Sequence, residues 1–378
     1  MKIVQVQTQA EAAGAQRISD IVGAGLRGKG HSVRTVFMYR KTDAYDADPH
    51  ADFILRERPR GALDQLKACI GLVSYMRRER PDAVISYQHY GNIFGTIAAL
   101  LSGTRRRVVN QSGAPGRRGG MLVAAWIDHA MGALGLYQFS VVNSQWTADQ
   151  FAERVPAYLR RMKRIDHGVV ASAAPIDRAA ARVAFGLPVD GPIVASSGRL
   201  TRDKNQVALI EAIAAVPGVH LAIAGAGPDL DGLKQLAEAR GVDRRVHFVG
   251  EVPPHRIFDF LAAGDLYAFA SRNETFGLAA VEAAVAGLPV VANDLPVLRE
   301  VLTARHGAAA VFADAEDTDA FAAAIRRVLE DAALRSELSA AGRSLTERYS
   351  TQTMCRRYEE LLVDIETLAT REGGVALP

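Results

Sequence analysis

Between residues 266 and 294 the chain writes one complete strand–helix–strand unit, and such a unit confines the fold to a parallel sheet. Leu266-Tyr267-Ala268-Phe269-Ala270 is an apolar run of strand length, followed by the polar turn Ser271-Arg272-Asn273-Glu274-Thr275. A helical stretch then starts near Gly277 and ends at Gly287, where a left-handed cap is least strained. Pro289-Val290-Val291-Ala292-Asn293-Asp294 supplies the second strand. Strands joined by a helical crossover run parallel, and parallel sheets are covered by helices on both faces. The expectation is therefore an α/β architecture.

The same stretch carries two carboxylates in a small, apolar setting. Glu274 falls on the loop at a strand's carboxyl end; Glu282 lies inside the helix with Val281, Ala283, Ala284 and Val285 around it. Ligands of open parallel sheets sit outside the carboxyl ends of strands, where helix N-termini offer unpaired N–H groups to anions. The amides of Phe276, Gly277 and Leu278 stand at that helix start. A buried carboxylate needs donors, which ribose hydroxyls would supply to Glu282 and sugar hydroxyls to Glu274. Taken alone, the pair reads more readily as ordinary charges at a helix start and on its rim.

The rest of the chain repeats the alternation. Strand-like runs fall at 2–7, 32–38, 83–87, 107–110, 139–143 and 163–166, with helical periodicity at 16–27, 63–78, 92–101 and 121–134. Further strands are expected at 192–196, from 219, from 245, at 289–294 and at 308–313, with helices at 317–330 and from 348 to 368. At 378 residues, two domains are expected: 1–168 and 169–351, with a C-terminal helix at about 352–370 packing back on the first.

The only cysteines, Cys69 and Cys355, exclude a disulfide framework or a cysteine zinc site and fit a reducing compartment. Met1-Lys2 leads straight into Ile3-Val4-Gln5-Val6 with no signal-peptide pattern. The apolar stretch 91–103 is too short to span a bilayer and reads as a buried helix. A cytoplasmic protein is expected. Charge is divided unevenly: residues 1–168 hold 24 Lys and Arg against 14 Asp and Glu, while the remainder holds 21 against 28. The basic half reads either as a solvated surface or as one attracted to an anionic acceptor or to acidic lipid headgroups, which would make the chain peripheral to the membrane's inner face. With no aromatic-interleaved basic motif, nucleic acid is not expected as a partner.

Several loops at strand ends carry candidate groups. After the first strand, Thr8-Gln9-Ala10-Glu11-Ala12-Ala13-Gly14 joins small residues to a helix start. His89 follows the strand ending at Tyr87; a lone histidine is more often structural than functional, but this one stands at a strand's carboxyl end, where ligands sit. Gly113 to Gly120, with Pro115 and four glycines, reads as a flexible loop. In Ser197-Gly198-Arg199-Leu200-Thr201-Arg202-Asp203-Lys204, Arg199 and Lys204 lie five residues apart on a strand-to-helix loop, where a surface-charge reading is available for both. Gly225-Ala226-Gly227-Pro228 is a tight turn lacking the third glycine of a dinucleotide fingerprint. Val252 ends the strand beyond it.

These pieces together resemble the retaining glycosyltransferases of family 4. The spacing Glu274-x7-Glu282, with Phe276-Gly277 behind the first and Gly287-Leu288-Pro289-Val290-Val291 behind the helix, resembles that family's signature, as do the Gly198-Arg199-Leu200 loop with Lys204 and Gly225-Ala226-Gly227-Pro228. The resemblance implies a GT-B fold, two Rossmann-like domains with parallel sheets facing across a cleft. The second would hold a UDP- or GDP-sugar and the first a hydroxyl acceptor of glycolipid, polysaccharide or glycosylated-metabolite synthesis. Glu274, Arg199, Lys204 and His89 are the implied catalytic groups. Gly14, Gly198, Gly225, Gly227, Val252, Phe276, Gly277, Leu278 and Glu282 are the implied donor-binding set, Val252 lining the nucleobase. No metal and no cofactor are expected. The sequence departs from the family at the first loop, where Gly14 stands without the adjacent glycine pair. It departs again at Asn110-Gln111-Ser112-Gly113, which lacks a histidine, and at His167, where the family has asparagine. These departures leave open a non-catalytic nucleotide-sugar-binding protein or a GT-B epimerase. A retaining glycosidase shares the carboxylate pair but has no use for Arg199 and Lys204.

Overall fold

The computed structural model describes residues 1–11, 14–111, 113, 120–170, 176–305 and 307–372. It divides into two compact units, one of residues 1–168 with 350–378, the other of residues 169–349.

The first unit runs β1 (Lys2–Ala10), α1 (Gly14–Gly28), β2 (Ser32–Arg40), β3 (Ala51–Leu55), α2 (Ala62–Glu79), β4 (Ala83–Tyr87), α3 (His89–Leu101), β5 (Arg106–Gln111), α4 (Gly120–Ala133), β6 (Phe139–Val142), α5 (Gln145–Asp149), α6 (Pro156–Leu159) and β7 (Met162–Arg164). Its seven strands are ordered β3-β2-β1-β4-β5-β6-β7, all parallel. Chain direction across the sheet reverses between β1 and β4. Val4, Val6, Val36, Leu72, Met76 and Val84 form a buried cluster here, each such side chain stabilising by roughly 1.5–3 kcal/mol.

The second unit runs α7 (Arg178–Ala184), β8 (Ile193–Ser197), α8 (Gln206–Ala214), β9 (His220–Ala224), α9 (Leu230–Ala239), β10 (Val246–Gly250), α10 (Ile257–Ala262), β11 (Leu266–Phe269), α11 (Leu278–Val285), β12 (Val290–Asn293), α12 (Pro296–Val301), a small hairpin β13 (Thr303–Ala304) and β14 (Gly307–Ala308), β15 (Ala310–Ala313), α13 (Thr318–Glu330) and α14 (Ala332–Arg348). Six parallel strands are ordered β10-β9-β8-β11-β12-β15. Here the reversal falls between β8 and β11. The core gathers Val194, Leu209, Ile213, Leu221, Leu266, Phe321 and Ile325. Asp317 starts α13 by accepting from the Ala320 amide at 3.0 Å, a favourable N-cap. The last helix, α15 (Thr351–Glu372), belongs to the first unit and packs on α1, with His31 Nε2 3.1 Å from Glu359 Oε1.

Four local expectations need correction. Strand β1 runs on to Ala10, so Thr8, Gln9 and Ala10 belong to the sheet and not to a loop. Strand β3 and helix α14 were not foreseen. The stretch 91–103 is buried on one face only, since Ile97, Leu100 and Leu101 of α3 are exposed. Residues 308–313 do not form one strand: Ala308 closes the antiparallel hairpin, and the sheet strand begins at Ala310. Of the expected flexible loop, 114–119 lies outside the described residues.

Candidate active site

The point where strand order reverses is where an open parallel sheet leaves a crevice for ligands. In the second unit that point lies between β8 and β11, and both sets of candidate charges fall on the loops leaving these strands. Lys204 Nζ lies 2.5 Å from Glu274 Oε1, joining the loop after β8 to the loop after β11. The ammonium also stands 5.8 Å over the Phe269 ring, a cation–π contact. Further bonds bolt the two loops together. Arg272 N donates to Asp203 O at 2.8 Å, Ser271 Oγ donates to the same carbonyl at 3.1 Å, and Arg272 Nη1 donates to Arg202 O at 3.0 Å. Arg272 Nε reaches Glu316 Oε1 at 2.6 Å, bringing in the segment after β15.

Arg199 is exposed on the first of these loops, and its carbonyl accepts from Gln206 Nε2 at 3.0 Å. Gly277 caps α11 at φ +78°, so Leu278 opens the helix with its amide directed out of it. A side chain at 277 would also meet Leu298 Cδ2 at 2.5 Å. Phe276 is buried edge-on against Tyr349, with ring centroids 5.3 Å apart, which leaves its backbone as the part able to meet a ligand. Glu282 is 2% exposed inside α11. Burial holds the Tyr267 phenol well above its ordinary range, and the charges of Glu282 and Glu274 push the same way. Its hydroxyl meets Ser197 N at 3.1 Å and Ser197 Oγ at 2.9 Å.

The glycines of the 225–228 turn answer to packing. A Cβ on Gly225 would come within 2.0 Å of Gly198 O, and one on Gly227 within 2.2 Å of Leu200 O. Gly198 N donates to Ala224 O at 2.9 Å and Gly225 N to Gly250 O at 2.7 Å. The turn therefore presses its backbone against the Gly198–Leu200 loop and steadies Arg199 from behind. Val252 lies just past β10, partly exposed.

The first unit has its own reversal point, between β1 and β4, with Gly14 opening α1 on one side and His89 opening α3 on the other. Gln88, between β4 and α3, is held at φ 63°, ψ 158°, a conformation that costs a non-glycine residue roughly 1–3 kcal/mol. It is fixed there by Thr8 N donating to Gln88 Oε1 at 3.1 Å and Gly91 N donating to Thr8 Oγ1 at 3.0 Å. His89 is partly buried, and desolvation lowers its imidazole below the ordinary range while Asp128 pulls the other way. Its Nε2 is buried with no hydrogen-bond partner among the described residues. In the stretch that lacks the family's histidine, Gln111 Nε2 donates at 2.8 Å to Asp128, whose carboxylate also accepts from Tyr158 at 2.9 Å and Tyr137 at 3.0 Å.

Sequence reasoning missed Tyr267, Gln88 and the Asp128 cluster. Asp128 carried the sign that singled out Glu282, a carboxylate in an apolar helical stretch. A cavity of about 690 Å³ opens at the amino ends of β8, β11 and β12, beside Pro192, Asp265 and Pro289. Three of its four arginines have structural duties: Arg182 binds Asp265 at 2.7 Å and Ala263 O at 3.1 Å, Arg178 binds Asp265 at 2.6 Å, and Arg335 caps Val328 O at 3.1 Å.

Residues 177–345 match the sequence family described as glycosyl transferases group 1. A lipopolysaccharide core biosynthesis glycosyltransferase, LpsE, of Rhizobium meliloti is 34% identical over 182 residues, 48% of this chain and 52% of the relative. A D-inositol 3-phosphate glycosyltransferase of Mycolicibacterium smegmatis is 36% identical over 200 residues, 50% of this chain and 45% of the relative. The chain thus spans about half the length of the curated relatives it matches. The crystal structure of HepE from Anabaena, solved with UDP and glucose, superposes with a TM-score of 0.82 at 22% identity, covering 96% of this chain and 100% of that one. The fold class is α/β of the GT-B kind, with two Rossmann-like, parallel-sheet units.

Proposed function

We propose that this chain, whose residues 177–345 carry the sequence of the glycosyl transferases group 1 family, is an enzyme that moves a glycosyl group from a nucleotide diphosphate-sugar to a hydroxyl acceptor with retention at the anomeric carbon. The observation that carries the reading is the Lys204–Glu274 ion pair at the reversal point of the second sheet, beside the N-terminus of α11. It gathers cations, open amides and a carboxylate where a diphosphate and its sugar would lie together. The solved HepE complexes hold UDP and UDP-glucose, which makes a uridine nucleotide the first donor to test.

In this reading the bond between the anomeric carbon and the diphosphate oxygen breaks, and its electron pair leaves with the phosphate. Arg199, Lys204 and the amides at Gly277 and Leu278 take up the growing negative charge, contacts that strengthen in the transition state. Loss of one such donor raises the barrier by roughly 3–4 kcal/mol. Glu274 orients the sugar hydroxyls and Glu282 the ribose, while Gly198, Gly225, Gly227 and Val252 shape the nucleotide's bed. The acceptor oxygen forms the new bond on the face the phosphate leaves, and its proton passes to that phosphate oxygen. His89, whose buried Nε2 has no hydrogen-bond partner among the described residues, holds the acceptor in the first unit near Gly14. The two cations and helix amides do the work for which other phosphate chemistry recruits a metal, so turnover is expected to survive EDTA.

The test is a thermal-shift panel of UDP, GDP, ADP and their sugars, with and without Mg2+, followed by turnover of the donor that shifts. Saturating nucleotide at about a hundredfold excess over its dissociation constant adds roughly 2.7 kcal/mol. A shift without turnover in the presence of hydroxyl acceptors would leave a binding protein in place of an enzyme. Product formed with no acceptor present would indicate an epimerase.

A further inference from the structure

Three neighbouring helices of the first unit turn apolar stripes toward solvent. On α2 the stripe is Leu63, Leu66 and Ile70; on α3 it is Tyr90, Ile97 and Leu101; on α4 it is Leu122, Val123, Trp126 and Ile127. These spacings of three, four and seven residues put each set on one helix face. The stripes adjoin, because α2 packs on α3 and α3 on α4. Leu63 and Trp126 are 76% and 69% exposed. Single exposed apolar residues are ordinary, but a contiguous face built from three helices marks a docking surface.

We infer that this face seats the first unit in the interfacial region of an anionic bilayer, and the inference rests on the glycosyl-transfer reading only for its purpose. Charge selects the occupant. Residues 1–168 hold 24 basic against 14 acidic residues, and exposed Lys67, Arg77, Arg78 and Arg105 border the stripes. Arg77 Nη2 donates to Leu101 O at 3.3 Å, which places the basic end of α2 at the apolar end of α3. A second copy docked about a twofold axis would bring like charges together, whereas acidic headgroups neutralise them while the acyl boundary takes the aliphatic side chains. Trp126 and Tyr90 have the amphipathic rings favoured at that depth. Tyr90 follows His89 in the chain, so the rim of the face adjoins the acceptor histidine and an acceptor hydroxyl borne on a lipid has a short path to it. No helix among the described residues is long and apolar enough to cross a membrane, and this face lies on the surface without spanning.

The experiment is flotation of the full chain with phosphatidylcholine vesicles containing or lacking phosphatidylglycerol, on the natural sequence and on Val123→Glu/Trp126→Glu. Both side chains face water, so the variant is expected to fold, and an unchanged nucleotide thermal shift checks that it has. Expected is binding to anionic vesicles only, weaker as salt rises from about 0.1 M to about 0.5 M, a blue shift of Trp126 emission, and a loss of roughly tenfold in the variant. Absence of flotation with anionic vesicles, equal flotation of the variant, or a dimer that the variant splits would each overturn the inference. A chain that floats yet responds to no nucleotide keeps the surface and overturns the glycosyl-transfer reading.

Discussion

Lys204 and Glu274 hold each other 2.5 Å apart across two loops of the second sheet, so in the proposed reaction the lysine would meet an incoming diphosphate already engaged by a carboxylate. Removing that carboxylate frees the cation. Glu274→Ala is expected to tighten nucleoside diphosphate by a few-fold, about the 1 kcal/mol of a partly exposed ion pair, while cutting turnover by roughly 10- to 100-fold through the lost sugar contact. Lys204→Ala should weaken the same nucleotide by roughly tenfold or more. Calorimetry with turnover on both variants checks this. Equal weakening by the two changes would mean Glu274 touches the nucleotide and not the sugar.

Gln88 reverses the usual order of glycine and alanine. At φ 63°, ψ 158°, Gln88→Gly removes strain worth roughly 1–3 kcal/mol and loses the bond from Thr8 N, worth about 1 kcal/mol. Gln88→Ala loses the bond and keeps the strain. The glycine variant should therefore be the more stable by about 1–2 kcal/mol, read by urea unfolding. Its acceptor KM should nonetheless rise, since His89 follows directly and loses its fixed entry angle. An alanine variant as stable as the glycine one would show that the backbone there is not strained.

The strand–helix alternation was legible because most strands are apolar runs bounded by turns. Strand β3 escaped because none of its five residues is buried, so an edge strand left no apolar signal. Helix α14 escaped for a different reason. It approaches α11 through Ala341 and Gly342, where a Cβ at 342 would stand 2.3 Å from Ala284 O; small residues in close contact leave no stripe to read. Glu274 and Glu282 were legible as carboxylates among apolar neighbours. Gln88 was not, because backbone strain has no compositional sign. For Gly225 and Gly227 the family resemblance implies a place at the donor, and their close approach to Gly198 and Leu200 is a packing reason the sequence does not spell out.

The glycines divide into two kinds on substitution. Gly225→Ala drives a Cβ to 2.0 Å from Gly198 O at φ +147° and should destabilise the second unit by roughly 3 kcal/mol or more. Gly14→Ala meets nothing within 4 Å and opens a helix, so it should add up to about 1 kcal/mol. If a donor or acceptor lies against Gly14, turnover drops while stability rises. Unchanged turnover would take Gly14 out of the site.

His167 should make the first unit acid-sensitive. Burial lowers its imidazole to about 4 from an ordinary 6.5, and Asn143 Nδ2, 3.1 Å from His167 Nε2, suits a neutral ring that accepts there. Between these values the unfolded chain binds the proton and the folded one does not, so this contribution falls as pH drops from about 6.5 through about 4. The span corresponds to on the order of 3 kcal/mol. Asp20 opposes it in the same unit. Its carboxyl is raised to about 6 by burial, so the stability it adds is complete below its ordinary 3.8 and is lost as pH rises through about 6. The wild-type curve mixes the two, and His167→Asn separates them. Because both tryptophans, Trp126 and Trp146, belong to the first unit, urea unfolding followed by their fluorescence reports that unit alone. Relative to wild type, the variant should gain on the order of 3 kcal/mol between pH about 7 and pH about 4. A difference that does not change with pH would place the His167 proton on the folded state as readily as on the unfolded one, and burial would then not be what sets it.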